Sequence, residues 1–166
     1  PTFITNWDTS LVTDMKDLFY SKINFNHPLN WDTSSVTTMS QMFRGAGFNQ
    51  DISGFDVSKV TDFTYMFYKS SFNQDISSWD TSSAENLSNM FRESPFNQDI
   101  SSWDVSSVHT FQETFRDTPF DQDISCWDIS SATMLAAMFY DGSMSHTLCW
   151  NTNGNVNNAF AGSGGG

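Results

Sequence analysis

The chain has 166 residues and a formal net charge of −12, with 7 Lys and Arg against 19 Asp and Glu. That balance excludes nucleic acid and anionic membrane as partners, because both need clustered Lys and Arg, and it favours cations or basic surfaces. Aliphatic residues are scarce, but 16 Phe, 8 Met and 6 Trp recur at fixed positions, so the chain is expected to order by stacking rather than stay disordered.

From the first residues onward the sequence repeats. Pro1 enters partway through a unit, so residues 1–166 read as a piece of a larger chain or assembly. Aromatic rings fall at Trp7, Trp31, Phe55, Trp79, Trp103 and Trp127, a constant step of 24. Phe19, Phe43, Phe67, Phe91, Phe115 and Phe139 keep the same step. A fixed period in this range marks a stack of one small unit. The first unit is irregular, with one residue gained before Phe25 and one lost before Trp31. No apolar run approaches the roughly 20 residues that span a bilayer.

In the interior units, Ile52, Ile76, Ile100, Ile124 and Leu148 sit between polar neighbours and predict a short strand, stacked as a parallel ladder. The ring follows, and then an Asp-x-Ser turn. Ser10, Ser34, Ser58, Ser82, Ser106 and Ser130 sit where an N-cap would start a helix, and Glu85 completes a capping box after Ser82. Val36, Met39, Met42 and Phe43 predict a two-turn helix, and the pattern recurs in the following units. A helix that short needs its neighbours. The expected fold is therefore an α/β leucine-rich-repeat-like solenoid of strand, turn and short helix. A right-handed parallel β-helix is the alternative, since 24 residues also suit three short strands. Residues 1–161 form one solenoid of six to seven coils, residues 151–161 its C-terminal cap, and residues 162–166 a Gly/Ser tail.

One residue per unit becomes a column in such a stack. Asp8, Asp32, Asp56, Asp80, Asp104 and Asp128 form one acidic column, and Asp51, Asp75, Asp99 and Asp123 a second. Carboxylates about 5 Å apart repel by roughly 1 kcal/mol in water, so something must offset them. Local turns, in which each Asp accepts backbone amides, are one answer. The other is Ca²⁺ held between coils by Asp51, Asp75, Asp99, Asp123, Asp56, Asp80, Asp104 and Asp128. Asn49, Asn73, Asn97 and Asp121, each followed by Gln, suggest an amide ladder between coils. Tyr20, Arg44, Tyr68, Arg92, Arg116 and Tyr140 form a further column, read either as a cover for helix ends or as a partner-binding strip, since Tyr and Arg are enriched at binding hot spots.

Cys126 and Cys149 lie 23 apart, nearly one repeat, which permits a disulfide between the last two coils. Such a bond implies an oxidising, extracellular setting. Thr9, Thr33 and Thr81 recur, but their rank is broken, so an ice-binding face is disfavoured. His27, His109 and His146 fall at different phases of the repeat, and no nucleophile elbow or phosphate loop is present. Catalysis has no support, and no cofactor beyond Ca²⁺ is suggested.

The unit Phe-Asn-Gln-Asp-Ile-Ser-x-Trp-Asp-x-Ser-x-Val-Thr-x-Met-x-x-Met-Phe resembles the repeat of mycoplasma-type lipoproteins and bacterial surface proteins, often grouped with BspA-like leucine-rich repeats. The resemblance covers residues 3–150. It implies an extracellular or cell-surface module for adhesion or structural display, with an extracellular protein, matrix or glycan as partner, and it brings no catalytic residues.

Overall fold

In a computed structural model, residues 4–148, Trp150 and Ala159 are described. The 24-residue coils do stack, but neither as an α/β solenoid nor as a β-helix. Among the described residues the one helical element is a 3-10 turn, η1, at Ile4–Asn6. The coils are joined by isolated parallel bridges, Asp14 to Thr38, Thr38 to Asp62, Asp62 to Asn86, Asn86 to Thr110 and Thr110 to Met134. These fall inside the stretch expected to be helical. The Ile column, expected to pair as strands, lies outside the bridges, although Ile52, Ile76, Ile100 and Ile124 are buried as foreseen.

The hydrogen bonds show why no helix forms. In the second coil, the N–H groups of Met39, Gln41, Phe43 and Gly45 donate forward to the carbonyls of Asp62, Thr64, Met66 and Tyr68, at 2.8–3.0 Å. The N–H groups of Met42, Arg44 and Ala46 turn back to the carbonyls of Met39, Gln41 and Phe43. Alternate amides thus leave the coil, and those between close successive four-residue turns. An α-helix would send every amide back four residues. The apolar spacing agrees in hindsight, because Val36, Met39 and Met42 are three apart, the step of successive turns rather than of 3.6-residue helix.

This path requires left-handed backbone at two places per coil. Asp17, Gln41, Tyr65, Asn89, Glu113 and Ala137 have φ between 54° and 60°, and Ser21, Gly45, Lys69, Glu93, Asp117 and Asp141 between 50° and 64°. Only one of these twelve is glycine. For the others the conformation costs roughly 1–2 kcal/mol per residue, which the inter-coil bonds must offset.

The side chains stack in register with the backbone. Along the column Phe19, Phe43, Phe67, Phe91, Phe115 and Phe139, ring centroids are 5.4–5.8 Å apart and nearly parallel. Phe48, Phe72, Phe96 and Phe120 form a second rank at 6.2–6.3 Å. The ranks touch at about 4 Å within each coil, as between Phe43 and Phe48. Phe25 completes the second rank at 5.9 Å from Phe48, despite its one-residue offset. The tryptophans after Trp7 are wholly or partly buried and bonded. The indoles of Trp31, Trp79, Trp103, Trp127 and Trp150 donate to the carbonyls of Ile4, Ile52, Ile76, Ile100 and Ile124 one coil earlier. Thr9, Thr33 and Thr81 point inward and donate to the carbonyls of Asp32, Asp56 and Asp104. They therefore offer no hydroxyl rank to solvent. Of the expected cap, only Ala159 lies among the described residues. It is buried, and its carbonyl takes the N–H of Phe139.

Two outcomes follow. Ala137→Gly should leave stability unchanged or raise it, because Ala137 has φ 55°. Within a helix the same change would cost about 1 kcal/mol. Chemical denaturation distinguishes them. Trp103→Ala should cost about 3–5 kcal/mol, as its ring is 4% exposed and bonded at 3.0 Å. A loss under about 1 kcal/mol would contradict the packing described.

Candidate functional site

The turn path brings the Tyr/Arg column to one flank of the stack, one side chain per coil. Arg44 lies between rings, its guanidinium carbon 5.2 Å from the centre of Tyr20, 5.1 Å from Tyr68 and 4.9 Å from Tyr65. Arg92 lies 5.4 Å from Tyr68 on its other side, and Arg116 lies 4.6 Å from Tyr140. At these distances each contact is worth about 0.5–1 kcal/mol at an accessible site. All six residues expected in this column are brought together. With Tyr65, the flank holds all four tyrosines and all three arginines of the chain.

Acidic neighbours complete the flank. Glu113 sits against Arg92 in a short contact and lies 3.3 Å from Arg116. Glu93 is 3.2 Å from Lys69 and accepts from the Tyr68 hydroxyl at 3.2 Å. Partial burial pushes the Glu93 carboxyl up, but Lys69, Tyr68 and Arg92 outweigh it and hold it below its ordinary value. Arg116 also pairs with Asp117 at 3.2 Å. The guanidiniums do not cap a helix, as one reading expected, because the described residues that precede them form turns. They are held instead by rings and carboxylates. Sequence reasoning missed Tyr65, Lys69, Glu93 and Glu113. Tyr65 precedes Tyr68 by three residues, the turn step, and that spacing was the available signal.

The acidic columns do something different. In the first, a single oxygen of each Asp takes the amide of the Ser two residues on. Its hydroxyl joins at Asp8, Asp32, Asp56, Asp80 and Asp104, 2.6–2.7 Å away. In the second, Asp51, Asp75, Asp99 and Asp123 take the amides of Ser53, Ser77, Ser101 and Ser125 at 2.8–3.0 Å. The hydroxyl and then the amide of the partner serine hold the carboxyls of Asp8, Asp32, Asp56, Asp104 and Asp128 below the usual range. For Asp51, Asp75 and Asp99 the amide contributes most. The Ser residues expected to be N-caps thus close turns between Asp and Ser. Among the described residues, no three His, Cys, Asp or Glu side chains are placed to hold a metal ion together.

The amide ladder forms as expected. The carbonyl oxygen of the Asn49 side chain accepts from the Asn73 amide and the Gln74 side chain, and Asn73 and Asn97 repeat the arrangement one coil on. Cys126 is exposed, while Cys149, its expected disulfide partner, lies outside the described residues. His146 comes within 4.0 Å of Asp121 and lines a shallow hollow with Asp123 and Cys126. His27 and His109 lie elsewhere. No helix of the described residues is long and apolar enough to cross a membrane.

The aspartates predict a pH dependence. The folded pKa values of Asp8, Asp32, Asp51, Asp56, Asp75, Asp99, Asp104, Asp123 and Asp128 lie below the unfolded value of about 3.9, so their stabilisation is present above that value and lost as pH falls through the folded values. The melting temperature should hold level from about pH 7 to 5 and drop below about pH 4. NMR titration should show Ser106→Ala raising the Asp104 pKa while leaving Asp75 unmoved. Equal shifts at both would mean that long-range charge, not the serine, sets the value.

Comparison with known proteins agrees with the repetition. No curated protein and no solved structure matches the chain. The family model described as "Mycoplasma protein of unknown function, DUF285" matches residues 2–95 and again residues 71–162. The two matches overlap and together take in nearly every coil, and the chain belongs to that family.

Proposed function

We propose that this chain is a non-catalytic adhesive or structural display module of a cell-surface or extracellular protein, and that its Tyr/Arg flank makes the contact. The carrying observation is the gathering of every tyrosine and every arginine onto one flank of a chain of charge −12. A stack that needed only its core could scatter these residues. Rings and guanidiniums held rigidly by their neighbours lose little freedom on binding, which favours affinity. Arg and Tyr are also the side chains that dominate protein–protein hot spots. The partner that fits is an extracellular or matrix protein presenting carboxylates, which the guanidiniums can take in paired hydrogen bonds. The resemblance of the unit to BspA-like surface repeats supports this reading.

The test is retention on immobilised extracellular-matrix proteins. The chain with Arg44→Gln, Arg92→Gln and Arg116→Gln should still melt as a folded protein, with a stability loss of about 2–5 kcal/mol from the five ring contacts given up, and should lose at least about tenfold in affinity at a temperature where both chains are folded. A chain with Asp80→Asn and Asp104→Asn should bind like the parent. Equal retention of the arginine variant and the parent would remove the flank as the contact.

A further inference from the structure

The three arginines of the flank are not equally committed. Arg92 meets Glu93 at 3.4 Å and Glu113 in a short contact. Arg116 meets Glu113 at 3.3 Å and Asp117 at 3.2 Å. Arg44 makes no ion pair among the described residues. Its guanidinium spends an N–H on the side-chain oxygen of Gln41, 2.6 Å away, and a guanidinium carries several more donors than that.

The register explains the difference. Two positions per coil put carboxylates beside the column. The one three residues before it carries Glu113, and the one directly after it carries Glu93 and Asp117. Around Arg44 the same positions hold Gln41 and Gly45 in its own coil, and Tyr65 and Lys69 in the next. An amide, a bare backbone, a ring and a cation thus stand where Arg92 and Arg116 find carboxylates. Arg44 has a described coil on either side of it, so this gap lies inside the stack.

The rings shape the gap. The guanidinium carbon of Arg44 lies 4.9–5.2 Å from the centres of Tyr20, Tyr65 and Tyr68. Rings over the face of a guanidinium leave the N–H groups at its edge able to donate in parallel to one carboxylate. They also displace water, which strengthens the attraction of the cation for an anion. The Tyr68 hydroxyl donates to Glu93, whereas those of Tyr20 and Tyr65 have no hydrogen-bond partner among the described residues.

We propose that Arg44, framed by Tyr20, Tyr65 and Tyr68, is the point on the flank that takes an acidic side chain of the partner protein. This rests on the flank being the contact surface, and it narrows that surface to one arginine. The incoming carboxylate plays the part for Arg44 that Glu93 and Glu113 play for Arg92. Arg92, held by those two, braces Tyr68 from its other side.

The probe is the peptide N-acetyl-Gly-Glu-Gly-amide, titrated into the whole chain at constant ionic strength. The readout is NMR of the three arginine Nε–H signals, each assigned by its Arg→Gln variant. One charge-assisted contact corresponds to a Kd of about 10–100 mM for so small a ligand. The Arg44 signal should move and saturate in that range, while those of Arg92 and Arg116 stay in place. The same peptide with Gln for Glu should move none of them. Gly45→Glu should abolish the Arg44 response by supplying the carboxylate from within. The site accommodates it, because Glu93 and Asp117 adopt φ of 54° and 55° where Gly45 has 64°, and a Cβ there would come no nearer than 3.6 Å to Ser21. Gly45→Gln, alike in shape but neutral, should keep the response. The inference is overturned if Arg44 does not respond up to about 0.1 M peptide, if all three arginines respond alike, or if Gly45→Glu behaves as the parent does. Tighter binding of inorganic phosphate than of the peptide would overturn the choice of a carboxylate. An Arg44 response in a chain that no matrix protein retains would sink the flank as the contact and leave the anion site standing. Matrix retention that depends on the arginines, without an Arg44 response, would do the reverse.

Discussion

Met39, Gln41, Phe43 and Gly45 send their amide hydrogens forward into the next coil, while Met42, Arg44 and Ala46 keep theirs within their own. This division of backbone donors is the constraint on which the rest depends. It fixes the step at 24 residues, since a shift of one would exchange the forward-pointing amides for the inward-turned ones. It fixes where the chain adopts left-handed backbone, because alternate amides can leave on one side only if the peptide planes are flipped at set places. That Tyr65, Glu93 and Glu113 adopt this conformation without being glycine shows how strongly neighbouring coils over-determine it.

The side chains ratify the division. Flat rings can pile up at 5.4–5.8 Å without leaving gaps, and Phe supplies two such ranks per coil. Aliphatic side chains, branched and three-dimensional, suit a period set by strands and helices better. Composition low in Leu and Val and high in Phe and Met is thus an adaptation to this spacing. Polar residues do equally local work. Asp closes turns onto Ser, and Asn and Gln bond coil to coil, so charge is lodged where each carboxylate has its own amide. The Tyr/Arg flank is the exception. Its contacts reach across coils between side chains, and no backbone group depends on them.

The period, the aromatic columns, the buried Ile and the amide ladder were legible because each depends on one residue type recurring in register. The conformation between them was not. Val36, Met39 and Met42 satisfy a helical template and a turn template alike over so short a run, and the helix is the commoner solution. Ser34 and Glu85 added false capping signals, because a Ser that closes a turn onto Asp32 and a Ser that caps a helix occupy similar local settings. The six-residue Tyr/Arg column was visible from spacing alone. Its carboxylate partners, Glu93 and Glu113, occupy positions that carry Gly45 or Gln41 in another coil, so no column announced them. The ladder was expected at Ile76 because β-branched residues favour strands, whereas Asp62, Asn86 and Thr110 form it.

The forward run of amides also gives the stack an electrical axis. Four peptide units in each complete coil point their N–H groups toward the C-terminal end, while about two per coil point back to an earlier carbonyl, as from Thr61 to Thr37 and from Ser71 to Ala46, and one more points back to an Asn side chain, as from Asn73 to Asn49. The surplus adds from coil to coil, as aligned peptides do in a helix, but with the opposite sense. Here partial negative charge gathers at the front and partial positive charge at the rear. The acidic columns run the length of the stack and do not cancel this gradient. A longer array of the same unit would steepen the potential difference between its ends without adding a single charged residue, so the number of coils is itself an electrostatic variable.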